Sequence, residues 1–316
     1  MKNYKLAFVG LGSIGKRHFY NVCKLLKIQG DTYSIDLYRS DFSRELSKDI
    51  LEEVSNQYLY ANDVCQGKMY DAVFVTNPTS MHYETITKFA KHAKSFFIEK
   101  PVFDSTEVDE PLFEAIKDIQ SYVACPLRYN PVLQYVRENI NYKDAIAVRA
   151  ISSSYLPDWR PGQDYRKCYS AHREMGGGVG IDLIHEWDYL TSFFGMPQKM
   201  FSIQDQISHL EIDSDDIAIY IAKTETTTIE LHLDYFGRKT LRSMDVFLPE
   251  ETIHCDITNG KVEYLKAGKV IELNAERNVF QMAEIEHFFD IINGLAPNDS
   301  DVRHAYHVLK LTKGII

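Results

Sequence analysis

Apolar and polar positions divide the chain into two stretches with different rhythms. Over the first 125 residues, short apolar runs alternate with segments whose apolar residues return every three or four positions. Residues 5–9 form an apolar run ending at glycines. Phe19, Val22, Cys23 and Leu26 then recur at i, i+3, i+4 and i+7, with Gly30 at the place of a helix C-cap. Residues 33–38 read as a second strand. Leu46, Ile50 and Val54 mark a second helix, with Ser43 as its N-cap. Residues 71–75 read as a buried strand, Ile86, Phe89, Ala90 and Ala93 as the face of the next helix, and 96–99 and 122–125 as two further strands. Strands alternating with helices predict a parallel sheet covered on both faces.

Beyond residue 125 the rhythm changes. One helix follows Pro131, with Val132, Val136 and Ile140 inward. A longer one is predicted over 178–194, stopped by Gly195 and Pro197. Between and after them the period is two: Ile217, Ile219 and Ile221; Ile229, Leu231 and Leu233; Met244, Val246 and Leu248. That alternation predicts a mainly antiparallel sheet with one face buried. Two helices close the sequence, one using Ile285, Phe288, Phe289 and Ile292, the other Val302, Ala305, Tyr306 and Leu309. The fold class expected is α/β: a parallel sheet of Rossmann type over residues 1–124 and an α/β domain with an open, mainly antiparallel sheet over 125–316.

Charge and cysteine content narrow the partners. The 35 Lys and Arg stand against 45 Asp and Glu, a net charge of −10. No overall field draws in phosphate, so neither nucleic acid nor an anionic membrane is an expected partner. The five cysteines, Cys23, Cys65, Cys125, Cys168 and Cys255, are odd in number, widely spaced and without a CxxC pair. That usage fits a reducing cytoplasm, and no apolar run reaches the length of a membrane span. Near the N-terminus, residues 6–15 are uncharged, but no A-x-A-like cleavage site follows, so no signal peptide is expected.

Gly10-Leu11-Gly12-Ser13-Ile14-Gly15 is a G-x-G-x-x-G run between a predicted strand and a predicted helix. In that setting the glycines serve a dinucleotide. Gly10 makes the turn, Gly12 admits the pyrophosphate close to the backbone, and Gly15 lets helix and strand pack. The helix start, with Ser13 and Ile14, offers N–H groups and a partial positive charge to the anion.

With that loop, four further segments match one family in order and spacing: Thr76-Asn77-Pro78-Thr79-Ser80-Met81-His82, Glu99-Lys100-Pro101, Leu127-Arg128-Tyr129-Asn130-Pro131, and Gly176-Gly177-Gly178 followed by Asp182 and His185. The sequence resembles the Gfo/Idh/MocA oxidoreductases. The resemblance implies an N-terminal Rossmann domain, cofactor contacts from Thr76, Asn77, Pro78, His82, Glu99 and Lys100, and a substrate contact from Arg128. It also implies a homodimer or homotetramer built on the open sheet. Gly15-Lys16-Arg17-His18, residues 155–161, 164–166 and 169–171, and Asp182-Leu183-Ile184-His185-Glu186 resemble the subgroup encoded with nonulosonic-acid and surface-glycan pathways.

Lys100 ends a parallel strand, where open α/β sheets bind ligands, so its ammonium can exchange a proton with a substrate hydroxyl. The plainer alternative is a solvated strand-end lysine. Asp182 and His185, three apart on one predicted helix, can share a face, the carboxylate orienting the imidazole. In the wider family the histidine often follows by four; here Glu186 holds that place, leaving open which of the two faces substrate. Asp182, His185 and Glu186 also raise a metal reading, but no third ligand stands in a recognisable motif, and no metal is expected. Trp159 and Tyr165, in a polar loop, can stack on a sugar, and Arg160 and Arg166 can fork onto a carboxylate or phosphate.

The second strand ends at Arg39-Ser40, with Asp36 too early and Asp41 too late to take the ribose hydroxyls. A guanidinium there suits a 2′-phosphate. NADP is therefore the expected cofactor, with NAD the alternative. The function expected is hydride transfer between that cofactor and a small sugar or sugar derivative, with Lys100, His185 and Asp182 catalytic. The rival is a protein of the same fold that senses NAD(P) or a sugar without catalysis.

Overall fold

A computed structural model describes residues 1–61 and 67–316; Cys65 lies outside the described residues. The chain forms two compact units. The first comprises Met1–Ala124 and Gln281–Tyr306, the second Cys125–Phe280 and His307–Ile316.

In the first unit six parallel strands, β1 (Asn3–Val9), β2 (Thr32–Arg39), β3 (Asn56–Leu59), β4 (Ala72–Val75), β5 (Ser95–Ile98) and β6 (Gln120–Val123), lie in the order β3-β2-β1-β4-β5-β6. The order reverses between β1 and β4, the point at which such sheets bind ligands beyond the carboxyl ends of their strands. Register places Phe8, Phe74, Phe97 and Tyr122 side by side across four strands. Phe8 and Phe74 stack at 4.4 Å. Phe288 covers this row, with ring centroids 5.6 Å from Phe74 and 5.3 Å from Phe97. Phe289 meets Tyr4 edge-on at 5.1 Å. Residues 281–306 thus pack with the first sheet, whereas the sequence boundary assigned everything past 124 to the second domain. The physical reason is the aromatic row: Phe19 and His18 meet Phe8 and Phe97 edge-on at 5.4 and 4.8 Å, and Phe288 adds its ring against Phe74 and Phe97. Ser43 does not cap the second helix: that helix is Lys48–Glu53, and Ser43 bonds Asp41 instead.

The second unit is built on eight strands, β7 (Ala147–Tyr155), β8 (Lys199–Asp205), β9 (Ile217–Lys223), β10 (Thr228–Asp234), β11 (Phe236–Phe247), β12 (Thr252–Asp256), β13 (Lys261–Tyr264) and β14 (Lys269–Glu272), ordered β14-β13-β12-β11-β7-β10-β9-β8. Only β7 and β10 run parallel; every other pair is antiparallel. Ile229, Leu231, Ala218, Tyr220, Met244 and Val246 fill the buried face, and Trp187 lies edge-on to Tyr220 at 5.3 Å. On the other face Phe201 is 78% exposed, Ile203 64% and Ile221 54%. The predicted helix over 178–194 is two pieces, Val179–Asp182 and His185–Phe194, broken at Leu183 and Ile184. Among the described residues no helix is long and apolar enough to cross a membrane.

Candidate functional site

The glycine loop closes the carboxyl end of β1 and opens the helix Ser13–Gln29. Gly10 has φ +87°, and a Cβ there would stand 2.7 Å from the Asn77 Cα. A Cβ on Gly15 would stand 2.7 Å from Thr76 Oγ1, so this glycine packs against the loop after β4 rather than against β1 alone. Thr76 Oγ1 donates to the Gly10 carbonyl at 2.8 Å and fixes the two loops together. Gly12 faces open space. The helix start has no side-chain cap and no acidic residue in its first turn. A side-chain-free cradle with unclaimed N–H groups fits a dinucleotide pyrophosphate.

Around the cradle, several expected contacts turn out to be supports. His82 is completely buried, its Nδ1 3.2 Å from the Val102 carbonyl and its Nε2 3.1 Å from that of Asn77. Burial pushes its imidazole down toward the neutral form. It ties the loop together rather than facing outward. Asn77 Nδ2 donates to Thr85 Oγ1 at 2.8 Å, and its Oδ1 is buried without a partner. Pro78 is exposed beside it. Glu99 Oε1 bonds Nε2 of His18, a residue one turn into the glycine-loop helix, and Glu99 Oε2 accepts the Lys100 N–H at 3.1 Å. Burial would raise the Glu99 carboxyl, but the His18 bond and the Lys100 charge outweigh it and hold the group below the usual carboxylate range. Lys100, half-buried past the end of β5, precedes Pro101 through a cis peptide bond.

At the end of β2, Arg39 Nη1 donates to Gln57 Oε1 at 2.9 Å, Nη2 bonds the Arg44 carbonyl, and the guanidinium lies over Phe42. Asp36 points from mid-strand into a buried cluster with Lys68, Tyr70 and Asn56. Asp41 accepts from the Ser43 N–H at 2.8 Å and from Ser40 Oγ at 3.2 Å, so Ser40 is already turned to a carboxylate.

In the second unit Asp182 ends one helix and His185 begins the next, so the expected sharing of one continuous helix face does not hold. Tyr235, fully buried, donates to Asp182 Oδ2 at 2.6 Å, and Tyr169 bonds the same carboxylate. Burial, with Asp182 adding to it, pushes both phenols up, so both remain donors. Glu186 is completely buried on Arg242 at 2.5 Å, which turns it into the core, while His185 is half-buried. Arg128 is 3% exposed; its Nε and Nη2 grip Asp188 at 2.9 and 2.7 Å. Its fork holds a helix rather than standing open to a ligand.

The loop between β7 and the Asp182 turn encloses a cavity of about 340 Å³, lined by Leu156, Trp159, Arg160, Tyr165, Lys167 and Cys168 among others. Trp159 donates to Ser154 Oγ at 2.9 Å and lies edge-on to Tyr235 at 5.3 Å. Arg160 lies over the Tyr169 ring. Arg166 does not join them: it pairs with Asp164 at 2.8 Å and Glu211 at 3.3 Å. Among the described residues no group of three or more metal-capable side chains converges.

Sequence reading had not assigned roles to His18, Tyr169, Tyr235 or Asp188. His18 and Tyr169 stand inside segments already singled out, but Tyr235 follows a plain alternating strand and Asp188 lies mid-helix with no local signal.

Residues 4–123 match the family model described as an oxidoreductase family with an NAD-binding Rossmann fold. The chain is 25% identical over 196 residues to the myo-inositol 2-dehydrogenase of Thermotoga maritima, covering 60% of this chain and 55% of that protein. It is 26% identical over 145 residues to the 2,7-anhydro-N-acetylneuraminate hydratase of Escherichia coli, covering 45% and 38%. The chain thus spans about half or less of the length of these curated relatives. The fold matches that of levoglucosan dehydrogenase in complex with NADH, with a TM-score of 0.83 at 15% identity, over 99% of this chain and 96% of that one. Over residues 4–123 the chain is thus similar to the Gfo/Idh/MocA oxidoreductases, whose family model describes an NAD-binding Rossmann fold.

Proposed function

We propose that the protein is an NAD(P)-dependent dehydrogenase or reductase acting on a hydroxyl or carbonyl of a sugar or sugar derivative. The observation that carries this reading is Lys100 at the carboxyl end of β5, in the same sheet whose β1 ends in the open Gly12 cradle. Gly10–Gly15, Arg39, Ser40, Thr76 and Asn77 would hold the cofactor, which supplies the hydride chemistry when bound. Lys100 in the first unit is the proton-exchanging residue of this reading, and His185 in the second unit, oriented by Asp182, is its candidate acid–base group there. The 340 Å³ cavity, with Trp159, Arg160 and Tyr165 on its wall, takes part of the sugar. The inositol and levoglucosan enzymes it resembles support a polyhydroxylated substrate, and the acylneuraminate hydratase supports a place in surface-glycan or sialic-like acid metabolism.

Cofactor choice turns on Arg39 and Asp41. Arg39, held at the end of β2 by Gln57 and the Arg44 carbonyl, offers a guanidinium that can fork onto a 2′-phosphate, while Asp36 and Asp41 are both bonded elsewhere, which favours NADP. The dispersed cysteines favour a cytoplasmic setting. Phe201, Ile203 and Ile221, exposed on one sheet face, favour a homodimer or homotetramer closed over that face. The test is reduced-nicotinamide absorbance across a panel of polyols, sugars and sugar acids with each cofactor. Turnover of any of them with cofactor reduction supports the reading. Tight cofactor binding with no turnover on the whole panel favours a sensor.

A further inference from the structure

The cavity of the second unit carries a charge pattern that a neutral sugar would leave unused. Its wall holds two cations, Arg160 and Lys167, and one carboxylate, Asp164. Asp164 is spent on Arg166: its Oδ1 accepts from Nε at 2.8 Å and its Oδ2 from Nη2 at 3.1 Å. Arg166 is shared in turn with Glu211. Asp158, the other carboxylate of this loop, is exposed and not part of the wall. Among the described residues neither Arg160 nor Lys167 forms an ion pair. The cavity thus keeps two unneutralised positive charges in a chain whose net charge is −10.

The groups on this wall are fixed before any ligand arrives. Arg160 lies 5.9 Å over the Tyr169 ring, and the Tyr169 phenol reaches the Asp182 carboxylate. Trp159 donates to Ser154 Oγ and meets Tyr235 edge-on, and Tyr235 donates to Asp182. The two phenols that hold Asp182 are therefore each backed by a cavity residue, one a guanidinium and the other an indole. A guanidinium presents a planar fork of N–H donors that matches a carboxylate or a phosphate. An indole offers a flat apolar face to the C–H side of a sugar ring. The volume of about 340 Å³ is at the lower end of the roughly 300–1,000 Å³ of small-molecule sites. It suits one sugar ring with its acid group rather than a sugar carrying a nucleotide.

We propose that this cavity selects anionic monosaccharides, with Arg160 forking onto the acid group, Lys167 adding its charge and Trp159 taking the ring. The shared chemistry is an oxyanion carried by a sugar, whether the carboxylate of a sugar acid or the phosphate of a sugar monophosphate. This rests on the reading of the cavity as the sugar site and narrows the class it admits.

Cys168, half-buried on the same wall, reports occupancy without any turnover. The whole protein, with each cofactor present in turn, is alkylated with iodoacetamide, and the Cys168 peptide is followed by mass spectrometry. The probes are glucuronate, N-acetylneuraminate, glucose 6-phosphate, glucose and inorganic phosphate. At least one acidic sugar is expected to protect Cys168 at concentrations about tenfold or more below glucose, the gain a charge-assisted bond gives. Whether a carboxylate or a phosphate does so names the source of the oxyanion. Arg160→Ala should bring that sugar to the level of glucose, Lys167→Ala should cost less, and added salt should weaken protection. Equal protection by glucose and the acids, no protection by any sugar, or full protection surviving in Arg160→Ala overturns the proposal. Inorganic phosphate protecting as well as the acidic sugars also overturns it, since the site would then hold an anion and no sugar. Should Cys168 not react, the fluorescence of Trp159, identified by its loss in Trp159→Phe, is titrated with the same probes. Protection by an acidic sugar with no turnover of any substrate would remove the dehydrogenase reading and keep the site. Turnover of neutral sugars with no protection by the acids would do the reverse.

Discussion

Tyr235 donates its phenol proton to Asp182 at 2.6 Å, both groups buried. The same ring supports Trp159 at the wall of the loop cavity. One side chain thus links the turn before His185 to the surface offered to a sugar. Tyr235→Phe keeps the ring and deletes the bond. We expect a loss of about 1–3 kcal/mol in unfolding free energy, as for a buried bond to a carboxylate, together with a fall in kcat. Denaturant unfolding and steady-state kinetics check both. Wild-type kcat would show that Asp182 needs no such support.

Lys100→Met removes the ammonium and keeps the length of the side chain. Turnover should fall by about 10²-fold or more, while affinity for the reduced cofactor stays within a few-fold. A variant retaining more than about a tenth of wild-type turnover would exclude proton transfer by this residue.

Arg160 and Arg166 looked equivalent in sequence and differ in the structure. Arg160 lines the cavity, whereas Arg166 is held by Asp164 and Glu211. Arg160→Ala should raise KM with cofactor affinity unchanged, and Arg166→Ala should change KM far less. Equal effects would take the cavity out of substrate recognition.

Cofactor preference can be read by fluorescence titration of NADPH and NADH. Arg39→Ala should weaken NADPH selectively, and Asp41→Asn should strengthen it by removing a like charge near the phosphate. Tighter binding of NADH by the wild-type protein would reverse the assignment.

Acid should weaken the fold through identifiable groups. At Glu99, Asp36 and Asp234, burial alone would raise the carboxyl, but hydrogen bonds and nearby cations hold each below its usual value. A group lowered in the folded state stabilises above its unfolded pKa, and that contribution is lost as pH falls through the folded one. Melting temperature should therefore be steady near neutrality and drop below the ordinary carboxylate range near pH 4. In Asp36→Asn, which lacks one of these groups, the drop should be shallower. An identical acid profile would exclude Asp36 as a contributor.

Much of the frame was legible because burial leaves a period in the sequence. Alternating Ile229, Leu231 and Leu233 line a sheet face, and the glycine loop sits where a turn and two close approaches leave no room for Cβ. Short strands left no such mark: β3, with Asn56 and Gln57 exposed, and β14, with Lys269 and Val270 exposed, bury too little to show one. The apolar positions of 178–194 suited one helix, yet the chain breaks at Leu183 and Ile184 with both side chains buried, so periodicity could not reveal the break. The site was legible where chemistry clusters in sequence, as at Glu99-Lys100. It was hidden where partners come from distant strands, as Tyr235 does for Asp182, and where a charged group such as Arg128 is used internally.

Phe288 and Phe289 reach the first sheet from a segment made late. A ribosome delivers 1–124 first, then most of the second unit, and only afterwards the residues that cover the aromatic row. Until then Phe74, Phe97 and Tyr122 of the nascent sheet lack the Phe288 ring that packs on them, while the eight-stranded sheet already has all its strands. During synthesis the first unit is thus the vulnerable one, open to misassociation and to capture by chaperones, although it is the first to leave the ribosome.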